Sequence, residues 1–426
     1  VGWIVRALVH NTIGQLWLEV HPDSPLRAKL DYLVPVRNGF RPPDRRLSVE
    51  EFKVLDPACG SGHFLLGAFD LLMEMWREEH PNLPPWQIPA LVLEHNLYGI
   101  DIDLRASQIA ALALYLKART AFEQLRGEDP SARFELRRIN IVCADIRYRH
   151  RDGQTQDRFL QEFQDDPDLR EIVRRILEDC SNAYEIGSLL RIRKPLEQLF
   201  QRRQMSRATP GQLSLLPRAE QLILSGALVQ PAKRWTIEEI EDRLRAYLRE
   251  AAEVHDMGSL LFGLDAERAV QLADLLTDRY DVVLMNPPYG AMPARCKEYA
   301  REHYPRTHRD YYAAFIEQAA DLCKEGGYVG ALTGRTFMFL KSFQRLREEI
   351  LRRDALPEIV WDLGFNVLDE ATARYAAFTL RKRWEGDGVE WQKHPVVFFH
   401  LTDWDWDEKR EWFEQALADL RSGVGV

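Results

Sequence analysis

Val54-Leu55-Asp56-Pro57-Ala58-Cys59-Gly60-Ser61-Gly62-His63-Phe64-Leu65-Leu66 reads as an apolar strand, a glycine turn and the opening of a helix. Gly60 and Gly62 permit backbone conformations closed to other residues and let a ligand approach the main chain. The helix that follows offers free N–H groups to an anionic group, an end that suits the methionine carboxylate of S-adenosyl-L-methionine. A dinucleotide fingerprint requires a third glycine three residues after the second, and this chain has Leu65 there. The turn therefore predicts an open α/β sheet built around a nucleoside-type cofactor. Leu97-Tyr98-Gly99-Ile100-Asp101-Ile102-Asp103 reads as a second strand ending in a carboxylate, where such folds hold ribose hydroxyls, so Asp101 is the expected ribose ligand. Asp103 is one alternation further on and suits a helix cap. Ile139-Asn140-Ile141-Val142-Cys143 is a third strand, ending in Ala144-Asp145-Ile146, and Asp145 can accept from an adenine amine or cap a turn.

The apolar run Val282-Val283-Leu284-Met285 ends in Asn286-Pro287-Pro288-Tyr289. Proline fixes φ and lacks an N–H, so the Pro-Pro step can hold the Asn286 side-chain oxygen and the Pro287 carbonyl on one spot, two acceptors with no donor nearby. An exocyclic amine that donates to both has its lone pair localised for attack on a methyl sulfonium, and no strong base is needed. Tyr289 is placed to stack on a base taken out of its helix. Read alone, the tetrapeptide is also compatible with a rigid turn after a buried strand.

The loop Asp56-Pro57-Ala58-Cys59-Gly60-Ser61-Gly62-His63-Phe64-Leu65 followed by Asn286-Pro287-Pro288-Tyr289 resembles the DNA adenine-N6 methyltransferases, in the gamma order of motifs. The stretches Trp17-Leu18-Glu19-Val20-His21-Pro22-Asp23-Ser24-Pro25, Gly99 to Asp103 and Asp281 to Asn286 look like the large methyltransferases of BREX and DISARM phage-defence systems. The resemblance runs from about Trp3 to Lys382. It implies a class I S-adenosyl-L-methionine fold, a doubly wound, mostly parallel seven-stranded α/β sheet with a helical insertion. It also implies that Asp56, Pro57, Ala58, Cys59, Gly60, Gly62 and Phe64 line the cofactor, that Asp101 with Ile102 binds ribose and that Asp145 with Ile146 meets adenine. Asn286, Pro287, Pro288 and Tyr289 are then catalytic, the substrate is double-stranded DNA with its target adenine flipped out, and the setting is the prokaryotic cytoplasm. The family's aromatic-Thr-Pro step before the loop is missing from Val1-Gly2-Trp3-Ile4-Val5-Arg6, and a chain that begins with valine is expected to be truncated. After Leu401 only a short charged tail follows, so target recognition is expected from a partner protein or a missing C-terminal domain. Two other readings stay open: a methyltransferase acting on an RNA guanine amine or a protein amide, and a scaffold that keeps the fold without the chemistry.

With 426 residues, 46% hydrophobic and 29% charged, the chain can bury a large core and divide into two domains. No apolar run approaches the roughly 20 residues of a membrane span. The five cysteines are odd in number and scattered, with no Cys-x-x-Cys pair, which argues against a disulfide framework or structural zinc; Cys59 is expected to be a small packed residue. Nor is there a phosphate loop with Gly-Lys-Ser/Thr or a nuclease-type carboxylate-lysine cluster. A net charge of −9 is unfavourable for binding phosphates, but distribution outweighs the sum. Basic clusters occur at Arg191 to Lys194, Arg202 to Arg207, Arg295 to Arg309 and Arg381 to Trp384. The third follows the tetrapeptide and mixes arginine with Tyr299, His303, Tyr304 and His308, so it is the expected DNA-facing segment.

The chain divides on these patterns into a helical lead (1–50), a cofactor half (51–150), a helical insertion (151–280), a catalytic half (281–401) and a charged tail (402–426). Leu65, Phe69, Leu72 and Trp76 lie at helical spacing. Ala106 to Arg119 and Asp310 to Lys324 repeat that pattern, with Gly326-Gly327 as the expected stop of the latter. Tyr328 to Thr333 and Ile359 to Leu363 read as strands, Phe339 to Arg352 as a helix, and Phe365 to Arg381 as a closing hairpin. Phe337 and Phe365 are expected to be core residues rather than walls of a base pocket. Within the insertion, Ala208-Thr209-Pro210-Gly211 is the expected breaker, and Thr236-Ile237-Glu238-Glu239 a capping box opening a helix through Arg249. Ile186 to Leu190 echoes Met257 to Leu261, which predicts two helix ends with one docking mode.

Overall fold

The computed structural model describes residues 2–35, 47–148, 153–207, 229–367 and 373–423; the breaker at Ala208 to Gly211 lies outside them. Four parallel strands form the heart of one sheet: β1 (Val54–Asp56), β2 (Leu97–Asp101), β4 (Tyr280–Met285) and β5 (Cys323–Gly334). With β3 (Asn140–Cys143), β6 (Ala355–Gly364), β7 (Tyr375–Lys382) and β8 (Val397–His400), the order is β3-β2-β1-β4-β5-β7-β6-β8. β7 runs antiparallel between β5 and β6, closing the expected hairpin. Among the described residues the sheet has eight strands rather than seven, because Val397–His400 adds to β6 in parallel. Only Phe399 of that four-residue edge strand is buried, so no alternation announces it.

The strand order reverses between β1 and β4, and at such a switch point the carboxyl ends open a crevice. Leu55 pairs with Val283, so the end of β1 at Asp56 and the end of β4 at Asn286 lie side by side. The helix His63–Glu79 follows the glycine turn and buries Leu65, Phe69, Leu72 and Trp76, as its spacing predicts.

The lead is a packed layer. Gly2–Val9, a π turn at His10–Gly14 and Gln15–Val20 bury Ile4, Leu8, Ile13, Leu16 and Trp17 completely. Asn11 supports the π turn: its amide donates to Ala7 O (2.8 Å) and Tyr32 O (2.6 Å), and its oxygen accepts from Val34 N (2.8 Å). At Gly330 a side chain would strike Leu284 Cδ2 at 2.7 Å and Thr12 Cγ2 at 3.1 Å, so this glycine lets the lead lie directly on β5. Arg381, 1% exposed, is paired with Glu19 of the lead at 2.6 Å, while Tyr328 Oη donates to the other Glu19 oxygen at 2.8 Å. Burial opposes the guanidinium charge, but Tyr328 and the carboxylates of Glu19 and Glu358 outweigh it and raise its pKa. Removing one partner of a buried pair costs roughly 3–5 kcal/mol, so Arg381→Met should lower unfolding stability by about that much in a urea titration. The cluster Arg381 to Trp384 is therefore structural, and Arg383 is likewise held by Asp387 at 2.7 Å.

Other expectations are corrected. The tail is a helix, Trp406–Ser422, with a capping box from Asp405 and Glu408. It buries Phe413 and Leu417 and packs Trp406 and Phe413 on Trp3 at centroid distances of 5.3 and 5.4 Å. Its apolar positions recur every three or four residues among charges, a helical pattern hidden by composition. The helix Tyr311–Leu322 stops before Gly326-Gly327, which lie inside β5; a side chain at Gly327 would meet Asp281 O at 2.4 Å. In place of one helix over 339–352 there are short 3-10 turns at Arg335–Met338 and Lys341–Phe343, then a π-helical stretch, Leu346–Asp354.

The second compact unit comprises Ile102–Leu104 and Val142–Asp278, close to the expected insertion. Phe159 is its aromatic centre, with ring centroids of Phe163, Tyr247 and Phe262 at 5.4, 5.1 and 5.7 Å. Thr236 does not cap a helix, because Val229–Glu253 already runs through it. Its hydroxyl instead accepts from buried Arg203 at 3.0 Å, and that guanidinium also pairs with Asp166 and Glu239. Side-chain caps in this unit are Asp166, opening Pro167–Asp179, and Asp256, opening the next helix, Met257–Thr277. Gly187 instead ends a helix at φ 60°, so the two echoed segments do not share a docking mode.

Candidate functional site

At the end of β1 the chain turns sharply. Gly60 has φ 51° and Gly62 φ 85°, left-handed values that favour glycine. Cys59 N donates to Ile100 O (3.0 Å), Gly60 N to Asp101 Oδ2 (2.7 Å) and Gly62 N to Cys59 O (2.7 Å), so the turn is moulded onto the end of β2. Pro57, Cys59 and Phe64 are buried beneath it; Cys59 Sγ packs where a side chain on Gly99 would be, 3.1 Å away. Ala58, Gly60 and Ser61 are its partly exposed members.

A side chain at Gly60 would have no neighbour within 4 Å, whereas one at Gly62 would approach Ala110 Cβ at 3.2 Å. Gly60 thus faces open space and Gly62 a helix. For Gly60→Ala the expected stability loss is only the left-handed penalty, about 1–2 kcal/mol, while a ligand seated on the loop is excluded. Calorimetry and thermal unfolding of this variant should separate the two effects.

Asp56 is 1% exposed, and one of its oxygens accepts from Ala58 N at 3.1 Å. Burial lifts its pKa to about 8, opposed by the Ala58 N–H and assisted by the Asp101 charge. A carboxyl group raised in this way is largely protonated at neutral pH and can donate a hydrogen bond as well as accept one. Among the described residues no His, Cys, Asp and Glu cluster could hold a metal ion, and no helix is long and apolar enough to cross a membrane.

Asn286 follows the fully buried β4; Pro287 is buried and Pro288 and Tyr289 are exposed. The expected absence of a donor is overturned: the Tyr289 hydroxyl donates to Asn286 Oδ1. Partial burial, then the neighbouring Tyr375, raises the Tyr289 pKa and keeps the phenol a donor. The Tyr289 ring meets Tyr375 edge-on, with centroids 5.3 Å apart. The tyrosine hydroxyl thus takes one of the two lone pairs of the Asn286 oxygen and leaves the other open. The loop beyond is anchored by Tyr311 N donating to Gly290 O at 2.9 Å and a bridge between Ala291 and Asp310. Asp310, read from sequence as a helix start, also pins this loop, and burial raises its carboxyl to about pH 6 against the Tyr312 N–H.

Ile102, Asp103, Asp145 and Ile146 belong to the second unit. There Ile102 and Asp103 are exposed, Ile146 is buried and Asp145 pairs with Arg147. The segment Arg295 to Arg309 is largely committed to the fold: Tyr304 is buried with its hydroxyl on Gln318 at 2.8 Å, and Arg306 pairs with Glu317 (3.0 Å) and Asp354 (2.8 Å). Among the described residues Arg301 and Arg309 of this segment are exposed. In the other two clusters Arg193 faces Glu197 (3.8 Å) and Arg202 faces Asp168 (3.3 Å). Phe337 is core, as expected, but Phe365 is 42% exposed.

The family model described as the Eco57I restriction-modification methylase matches residues 95–364, and that of the MmeI DNA-methyltransferase domain matches 44–143. The adenine-specific methyltransferase BrxX of Escherichia coli O9:H4 (strain HS) is 29% identical over 96% of this chain and 32% of its own length. The adenine-specific methyltransferase PglX of Lacticaseibacillus casei (strain Zhang) is 26% identical over 96% and 31%. The chain thus spans about a third of the length of these relatives. Among solved structures, a nuclease-deletion mutant of the Type ISP restriction-modification enzyme LlaGI in complex with a DNA substrate mimic aligns over 97% of this chain and 25% of its own, at TM-score 0.48 and 12% identity. With its family model covering more than half of the residues, the chain belongs to the Eco57I restriction-modification methylases.

Proposed function

We propose that this chain methylates N6 of adenine in double-stranded DNA, as the methyltransferase portion of a restriction-modification or phage-defence enzyme. The observation that carries the reading is the placement of two chemistries on neighbouring strands: the glycine turn after β1 and the Asn286 tetrapeptide after β4, brought level by the Leu55 and Val283 pairing. S-adenosyl-L-methionine, when bound, supplies an electrophilic methyl group. The turn residues fit it: open space lies over Gly60, and the Asp101 carboxylate, held by the Gly60 N–H, is at the ribose end. Asn286 Oδ1 and the Pro287 carbonyl accept from the two N–H bonds of a flipped adenine, while the Tyr289 ring stacks on it. Positioning and preorganised acceptors supply the rate, with no covalent enzyme intermediate. Sequence choice comes from a partner protein or a C-terminal target-recognition domain like those the longer relatives have room for.

The test is incubation of the purified chain with isotopically labelled S-adenosyl-L-methionine and mixed DNA, followed by mass spectrometry of the nucleosides. Label on N6-methyladenine is expected, and label on RNA or protein instead would reassign the acceptor.

A further inference from the structure

Phe339 and Phe365, 60% and 42% exposed, are large apolar side chains in water, yet the backbone at or beside each is anchored. Phe365 lies between two left-handed residues, Gly364 (φ 62°) and Asn366 (φ 61°), and its carbonyl accepts from Lys409 Nζ at 2.7 Å. Lys409 is a buried lysine of the C-terminal helix. Phe339 is bracketed by Arg347, which donates to Phe337 O (2.5 Å) and Leu340 O (2.9 Å). Each ring is backed by a guanidinium: Arg335 lies 5.1 Å from the Phe339 centroid while bonding both oxygens of Asp362 at 2.7 Å, and Arg374 lies 4.5 Å from that of Phe365.

These groups share one edge. Gly334 pairs with Tyr375 and Tyr375 with Gly364 across β5, β7 and β6, and Arg335 N donates to Arg374 O at 3.1 Å. The Tyr375 ring meets Tyr289, so the row is continuous with the tetrapeptide. Aromatic rings alternating with arginines on anchored backbone suit unstacked bases better than another apolar surface, because every base presents a π-face and its phosphate a charge. Two exposed cations accompany the rings, Arg374 against Phe365 and Lys341 two residues after Phe339.

We propose that Phe339 and Phe365 form a stacking rail for nucleotides next to the one held at Asn286 to Tyr289, with Arg374 and Lys341 at their phosphates. This rests on the nucleic-acid reading above. The test is fluorescence anisotropy of the full chain with a labelled single-stranded oligonucleotide and its duplex, for wild type, Phe339→Ala/Phe365→Ala and Phe339→Trp/Phe365→Trp. The double alanine variant is expected to bind the single strand at least tenfold more weakly, the tryptophan variant to recover it, and Arg374→Gln to lower the salt dependence. Cofactor affinity by calorimetry should be unchanged in all of them, which establishes that the site is folded. Equal oligonucleotide affinity in the alanine variant overturns the rail, and so does absence of single-strand binding by the wild type. Methylated adenine with an unaltered alanine variant sinks the rail alone, whereas rail-dependent binding without methylation sinks the catalytic reading alone.

Discussion

Asn286→Ala is expected to lower the methyl-transfer rate by roughly 10²–10³-fold, the typical effect of deleting one preorganised hydrogen-bonding group at a reacting centre. Cofactor affinity should stay within about twofold, since Asn286 follows β4 whereas the glycine turn follows β1. Its side chain is only partly buried and its recorded partner is the Tyr289 hydroxyl, so little of the fold depends on it. Tyr289→Phe separates two effects. It removes the hydroxyl that takes one lone pair of the Asn286 oxygen but keeps the ring, so KM should stay close to that of the wild type, whereas Tyr289→Ala should raise KM by loss of stacking. Single-turnover kinetics with calorimetry reads all three variants. Parallel loss of turnover and cofactor binding in Asn286→Ala would make Asn286 a structural residue.

The second large effect belongs to Asp101. Its carboxylate already takes the Gly60 N–H at 2.7 Å, which both shapes the turn and orients the group. Hydrogen bonds to a charged acceptor contribute about 1.5–3 kcal/mol each, so Asp101→Ala should weaken S-adenosyl-L-methionine binding on the order of 100-fold in an isothermal titration. Asp101→Asn is the informative control. Its oxygen can still accept from Gly60 N and preserve the turn, but its amide cannot accept from a second hydroxyl, so an intermediate Kd is expected. Unchanged affinity in both variants would remove Asp101 from the cofactor site.

The stretch from Val54 to Leu66 and the run from Val282 to Tyr289 could be read in one dimension because the constraints are local. A left-handed turn demands glycine, a strand that ends in Asn-Pro-Pro must leave the sheet, and Leu65, Phe69, Leu72 and Trp76 recur at the helix period. The sequence by itself determined that these elements form an α/β sheet with a carboxylate at the end of β2. Tertiary structure alone decided who faces whom. Glu19 meets Arg381 and Lys409 meets the carbonyl of Phe365, contacts between residues far apart in the chain, so Arg381, part of a basic run that looked available for phosphates, is already neutralised within the fold. The Tyr289 hydroxyl on Asn286 depends on a loop pinned by Tyr311, and the eighth strand and the packed C-terminal helix depend on surfaces offered by β6 and Trp3. Periodicity reports which face of an element is apolar. Pairing of charges and edges is set by the register of distant strands, and that is a property of the folded sheet.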